Sequence, residues 1–141
     1  MMEALREEKV TGRLKELGYE SDIYVYGMSQ PISLGTAALF GVFAVVGNQP
    51  KPFILGFSKK GIFLIELNAM CSNYTGLHAF ITAENIEEIS FKKNLLVYTL
   101  TLRSKDGSKQ IFKISKITAG VSWQKANVEK LGEFIKTFKS E

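Results

Sequence analysis

Alternation of apolar and polar positions dominates the middle of the chain and is cleanest over residues 94–115. There Leu96, Tyr98, Leu100 and Leu102 alternate with Val97, Thr99, Thr101 and Arg103, a two-residue period that sets an apolar row on one face of a sheet. Asp106-Gly107 interrupts the alternation. Gly accepts a positive φ without a Cβ clash and Asp tolerates one, so the stretch predicts an antiparallel hairpin. A second hairpin is predicted from residues 53–57 and 62–67, joined by Ser58-Lys59-Lys60-Gly61. Residues 23–26 read as a strand, residues 77–82 as a short one, and Ala83-Glu84-Asn85 as a turn. Ile86, Ile89 and Phe91 mark a further strand, which reaches the first hairpin through Lys92-Lys93-Asn94. Residues 68–74 show no period and are expected to be irregular.

At both ends the period changes. Val128, Leu131, Phe134, Ile135 and Phe138 recur at spacings of three and four, predicting a helix over residues 122–138 with one apolar side. Ser122 is its expected cap, Trp123 its anchor, and Lys125, Lys130, Lys136 and Lys139 keep the opposite side wet. Near the start, Leu5, Val10, Leu14 and Leu17 predict another helix, ended by Gly18 where a left-handed cap sits.

One window departs from both periods. Residues 23–50 contain no charged side chain, and within them residues 37–46 (AALFGVFAVV) are continuously apolar. A membrane-spanning helix needs about 20 such residues, so this run is too short to span. Three readings remain: a core strand covered on both faces, a contact with a second copy, or a loop whose apolar tip enters a lipid surface or a partner's groove.

Composition narrows the class without naming a reaction. With 141 residues, 45% hydrophobic and 23% charged, the chain has the make-up of one globular domain. The net charge of +4 is unevenly spread: residues 91–141 hold eleven Lys/Arg against four acids, and residues 1–90 hold seven against ten. Such a split suits an anionic partner, or lysines that solvate strand edges and turns. A lone cysteine, Cys71, excludes an intrachain disulfide, and MMEALREEKV lacks the apolar core of a signal peptide; the expected location is the cytoplasm, free or peripheral at a membrane.

Cys71 and His78 are separated by six residues, but no third group is placed to orient the histidine. One Cys and one His fall short of the ligands a metal site needs, so no metal is expected. Ser90 to Lys93 and Ser122 to Lys125 fit S-x-x-K without the supporting elements that make it catalytic. Glu84, Glu87 and Glu88 offer carboxylates at a strand entrance, where acids are ordinarily just hydrated. No phosphate-binding glycine loop or other cofactor pattern occurs. Arg103, Lys105, Lys109 and Lys113 make a basic hairpin, but its aromatics fall on the apolar side, which disfavours nucleic acid.

The order of elements and several local words resemble the bacterial pleckstrin-homology-like (PH-like) superfamily. These words are the apolar hairpin with Lys59, Lys60 and Gly61 at its bend, ENIEEISFKKN over residues 84–94, the turn Lys105-Asp106-Gly107, and the closing helix. The resemblance covers residues 20–138 and implies an α+β fold: a strongly bent antiparallel sheet, or partly open barrel, of about seven strands closed by the C-terminal helix. Residues 1–19 are then an N-terminal helix and residues 20–141 the PH-like domain. It implies a non-enzymatic scaffold binding lipids, peptides or proteins. In lipid-binding relatives the loop between the first strands carries clustered cations; here residues 27–52 supply only Lys51, which argues against inositol-phosphate recognition. The expected activity is docking of a protein partner or self-association. The alternative is peripheral binding to an anionic membrane. The expected contacts are Leu39, Phe40, Val42 and Phe43 with Lys92, Lys93, Lys105 and Lys109. If the last helix covers the sheet, Phe134→Asp should unfold the domain; a thermal melt unchanged by that substitution rules out the packing.

Overall fold

The computed structural model describes residues 3–19, 21, 23–30, 50–105 and 107–139. A 3-10 turn (Glu3–Leu5) leads into helix α1 (Glu7–Glu16). Seven strands follow: β1 (Ile23–Ser29), β2 (Pro52–Ser58), β3 (Gly61–Leu67), β4 (Tyr74–Thr82), β5 (Ile86–Lys92), β6 (Val97–Ser104) and β7 (Lys109–Ser115). Helix α2 (Gln124–Lys139) closes the order. All strand pairs are antiparallel, in the order β4-β3-β2-β1-β7-β6-β5, and the sheet is not closed on itself. This is the meander-then-helix arrangement that the resemblance implies.

Local chemistry explains most of the boundaries. α1 ends where the Gly18 N–H donates to the Lys15 carbonyl (3.0 Å) and the Tyr19 N–H to the Leu14 carbonyl (2.8 Å). That 5→2 and 6→1 pair needs a left-handed residue between them, and Gly18 has φ +76°. At the β2–β3 turn, Gly61 has φ +152°, and a Cβ there would lie 2.0 Å from the Ile81 carbonyl oxygen. The glycine is required by the close approach of β4, more than by the turn itself.

Two apolar clusters lie on opposite faces of the sheet. The inner one joins Val25, Leu55, Phe57, Leu64, Ile89, Leu100, Phe112 and Ile114 to Val128, Leu131 and Ile135 of α2. The outer one joins Ile54, Phe63, Ile65 and Leu67 to Leu5, Val10 and Leu14 of the N-terminal segment and to Trp123. Hence every residue of β2 and of β3 is buried, although the two strands sit among others with one wet face. A strand covered on both sides is free to be apolar at every position, which is how residues 53–57 and 62–65 read.

The sheet opens between β1 and β7. The pair is laddered only at Met28–Lys113 and Ser29–Phe112. In the continued register Tyr26 would face Ser115. The side chain of Gln124, fully buried, fills that place. Its Oε1 accepts from the Tyr26 N–H (2.9 Å), and its Nε2 donates to the Tyr26 carbonyl (2.8 Å) and the Ser115 carbonyl (2.9 Å). One turn later Asn127 Nδ2 donates to the Tyr24 carbonyl (2.9 Å). α2 thus replaces the missing strand by satisfying β1's free backbone groups with amides.

Several expectations are corrected. Leu96 was expected to start the inward row of β6, but it precedes the strand and is exposed, while Tyr98, Leu100 and Leu102 are buried. The reason is that β6 begins at Val97, after a bend that carries Leu95 and Leu96 outward. β4 starts three residues earlier than expected, because Leu67 pairs with Tyr74 beyond a register shift. α2 starts at Gln124, two residues after the expected cap Ser122, since Gln124 is drawn into the β1–β7 gap. Phe134 and Phe138 pack on the inner cluster while remaining partly exposed.

Gln124→Leu keeps the volume but removes the side-chain partner of three part-buried backbone groups, the Tyr26 N–H and the Tyr26 and Ser115 carbonyls. The urea midpoint should fall by the equivalent of about 2–4 kcal/mol; a shift below about 0.5 kcal/mol would show that solvent replaces the amide freely.

Candidate functional site

β5 is the last strand of the sheet, with β6 on one side only among the described residues. Its sequence is polarised: Glu87 and Glu88 stand near its start, Lys92 and Lys93 at its end. α2 runs beside it. Between them lies a cleft of about 470 Å³ lined by Glu84, Ile86, Glu87, Glu88, Ile89 and Phe138, with Ala83. Ile86 and Ile89 are buried, whereas Glu84, Glu87 and Glu88 are exposed. The floor is therefore apolar and the rim acidic. The turn Ala83–Asn85 fixes the upper edge: the Ala83 N–H donates to the Lys60 carbonyl (2.8 Å) and the Lys105 N–H to the Asn85 carbonyl (2.9 Å). Those bonds tie three connections into one corner and hold Glu84 beside Glu87 and Glu88.

Of the sequence-derived contact residues, only the four lysines fall among the described residues, and they divide between two ends of β6. Leu39, Phe40, Val42 and Phe43 lie outside the described residues. Lys92 and Lys93 sit at the β5–β6 connection, Lys105 and Lys109 at the β6–β7 connection. Those two ends of β6 are roughly 25 Å apart for an eight-residue strand. Lys92 opposes Thr99 near one end of β6 and Lys109 opposes Arg103 near the other, so the two pairs do not share a patch. The carboxylates set aside in the sequence instead converge on one cleft. The signal was present as an acidic start and basic end of one strand, but only the position of α2 turns it into a cavity.

Cys71 and His78 each contact a different tyrosine. Cys71 lies beside Tyr26, with Sγ 3.7 Å from the phenol oxygen, while the only histidine, His78, has Nδ1 2.7 Å from the Tyr19 hydroxyl. Burial pushes the Cys71 thiol up, away from the thiolate a nucleophile needs. Tyr19, Tyr24, Tyr26 and Tyr74 are all pushed up as well, chiefly by burial. Among the described residues no three His, Cys, Asp or Glu side chains gather as a metal-binding group. Phe112 and Tyr98 face inward and Phe91 packs on the same cluster, so the basic hairpin offers no stacking platform for bases. No helix among the described residues is long and apolar enough to cross a membrane.

No family model matches the chain. No curated protein matches it either. Among solved structures it is similar to the pleckstrin homology (PH) domain of USP37, at 13% identity and a TM-score of 0.43, over 83% of this chain and 96% of that one.

The phenols carry one pH dependence. Burial, and then the hydrogen bond to Glu7 and its charge, raise Tyr24 from 10.0 to about 12. A raised folded value means the neutral phenol stabilises the fold at and below pH 10, and this contribution is lost as pH climbs through about 12. Stability measured by urea unfolding should decline over that window, and less steeply in Tyr24→Phe; equal declines in both would exclude Tyr24 as a contributor.

Proposed function

We propose that the protein is a non-enzymatic interaction module whose cleft between β5 and α2 takes an extended segment of a protein partner. The observation that carries this reading is a sheet edge, unpaired among the described residues, running along a cavity with an apolar floor and three carboxylates on its rim. A strand added to β5 gains main-chain hydrogen bonds, which supply affinity for any extended sequence. Side chains alternate along such a strand, so one apolar residue enters the floor at Ile86, Ile89 and Phe138 while its neighbours meet the rim. Glu84, Glu87 and Glu88 select Lys or Arg at those neighbouring positions and disfavour acids. The favoured partner segment is extended, with an apolar anchor flanked by cations. Assembly of the fold does not use these three carboxylates, which are exposed.

The test uses two fluorescent peptides of alternating residues, Val with Lys and Val with Glu, in an anisotropy titration. The lysine peptide should bind and weaken as salt is raised. Glu87→Lys combined with Glu88→Lys should reduce its affinity about tenfold or more at an unchanged melting temperature. Equal affinity for the two peptides, or equal affinity of the double variant and the wild type, would refute the cleft as the docking site.

A further inference from the structure

β5 itself carries the kind of segment that its own edge receives. Along it Glu87 and Glu88 precede Ile89, Ser90 and Phe91, and Lys92 and Lys93 follow. Its two faces are sorted by their partners on β6. Ile89 and Phe91 stand opposite Leu102 and Leu100 and turn to the inner cluster, where Phe91 meets Tyr98 edge-on at 5.2 Å. Glu88, Ser90 and Lys92 stand opposite Arg103, Thr101 and Thr99 and lie on the outer face. Glu88 and Lys92 are exposed, and among the described residues neither has an ion-pair partner. Lys93 is engaged elsewhere: its side chain lies against Gly132 of α2, next to Glu133.

Antiparallel pairing of this strand with itself has one register that satisfies both faces. With a two-fold axis at Ser90, Glu88 of each copy faces Lys92 of the other, and Ile89 faces Phe91. Cross-strand partners share a face, so the ion pairs fall outside and the apolar pairs inside, level with the cleft floor at Ile89. A shift by one residue in either direction sets Ser90 against an apolar side chain and turns one copy's inner face outward.

Resting on the reading of the β5 edge as a strand acceptor, we infer that its occupant is β5 of a second copy of this chain, paired antiparallel about Ser90 and fixed in register by two Glu88–Lys92 ion pairs. The cleft favours an apolar anchor with cations beside it, and Phe91 followed by Lys92 is such a segment within the same molecule. Charge order makes the strand its own complement. Acidic first and basic last, it opposes unlike charges when the copies run in opposite directions, which is also the arrangement that a two-fold dimer requires. In-register parallel addition sets Glu88 against Glu88 and Lys92 against Lys92, which is unfavourable. A seven-residue strand engages fewer residues than the roughly 20–30 on each side of a stable interface, so the dimer forms and dissociates with concentration.

Sedimentation velocity of the full chain at rising concentration tests the inference. The wild type should pass from monomer to dimer, with raised salt favouring the monomer. Glu88→Lys and Lys92→Glu each set two like-charged pairs across the axis, and each should weaken dimerisation about tenfold or more. An equimolar mixture of these two variants restores both ion pairs in a mixed dimer, as does the double swap Glu88→Lys/Lys92→Glu in one chain. Each should associate within about threefold of the wild type, a rescue that an interface elsewhere on the chain does not produce. Glu88 and Lys92 are exposed, so the variants are expected to keep the wild-type melt; should Glu88→Lys unfold beside Arg103, Lys92→Glu, opposite Thr99, decides by its own loss of association. A wild type that stays monomeric, a dimer indifferent to the folded single variants, or single variants that neither the mixture nor the double swap restores would each overturn it. A monomer that still binds the alternating lysine peptide leaves the cleft reading standing, whereas a monomer that does not bind it removes both.

Discussion

Two adjacent side chains hold this fold together at the point where its sheet comes apart. β1 and β7 are laddered over two pairs only, and beyond them a gap would expose the backbone of Tyr26 and Ser115 inside the protein. Gln124 closes it with three hydrogen bonds, acting as a piece of strand supplied by a helix. Its neighbour Trp123 turns to the other face, where Nε1 donates to the Leu5 carbonyl (2.9 Å) and the ring meets Tyr24 edge-on at 5.1 Å. One dipeptide thereby links the N-terminal segment, β1, β7 and α2. An unpaired polar group in such a place costs about as much as several surface contacts contribute, so the constraint outweighs the rest of α2's polar side.

The placement of α2 decides what the surface can do. Anchored at the seam, the helix crosses the inner face and reaches β5, where Phe91, Phe134 and Phe138 pack on the inner cluster. It stops short of covering the start of β5, which leaves the acidic cleft, and passes Gly132 beneath Lys93 at the other end. The N-terminal segment plays a matching part outside. By covering β2 and β3 it removes the broadest apolar face from solvent, so that the exposed apolar residues of the later strands stand out as a separate feature.

Much of this architecture was legible from residue order. The hairpin at Gly107, the hairpin at Gly61, the Gly18 stop and the apolar side of α2 each rest on interactions within a few residues, and local chemistry specifies them. The inward row Tyr98, Leu100 and Leu102 followed from alternation, but Leu96 did not, because alternation cannot tell where a strand begins. The candidate contacts were less legible. Lys92, Lys93, Lys105 and Lys109 are close in sequence only through a hairpin, and a hairpin's two ends face apart. Glu84, Glu87 and Glu88 looked like hydrated strand-entry acids until α2 supplied the opposite wall.

By itself, then, the sequence determined which segments are strands and helices and which side of each is apolar, because periodicity and turn residues act over one or two turns of chain. It determined the charge polarity of β5 as well, since Glu87, Glu88, Lys92 and Lys93 are neighbours. Only the tertiary structure decided that Gln124 sits in the seam, that β2 and β3 are covered twice, and that the Lys116 N–H meets the Leu96 carbonyl. Each of those depends on contacts between segments far apart in the chain. No local preference encodes such a contact; it is settled by which packing leaves the fewest buried backbone groups without a partner.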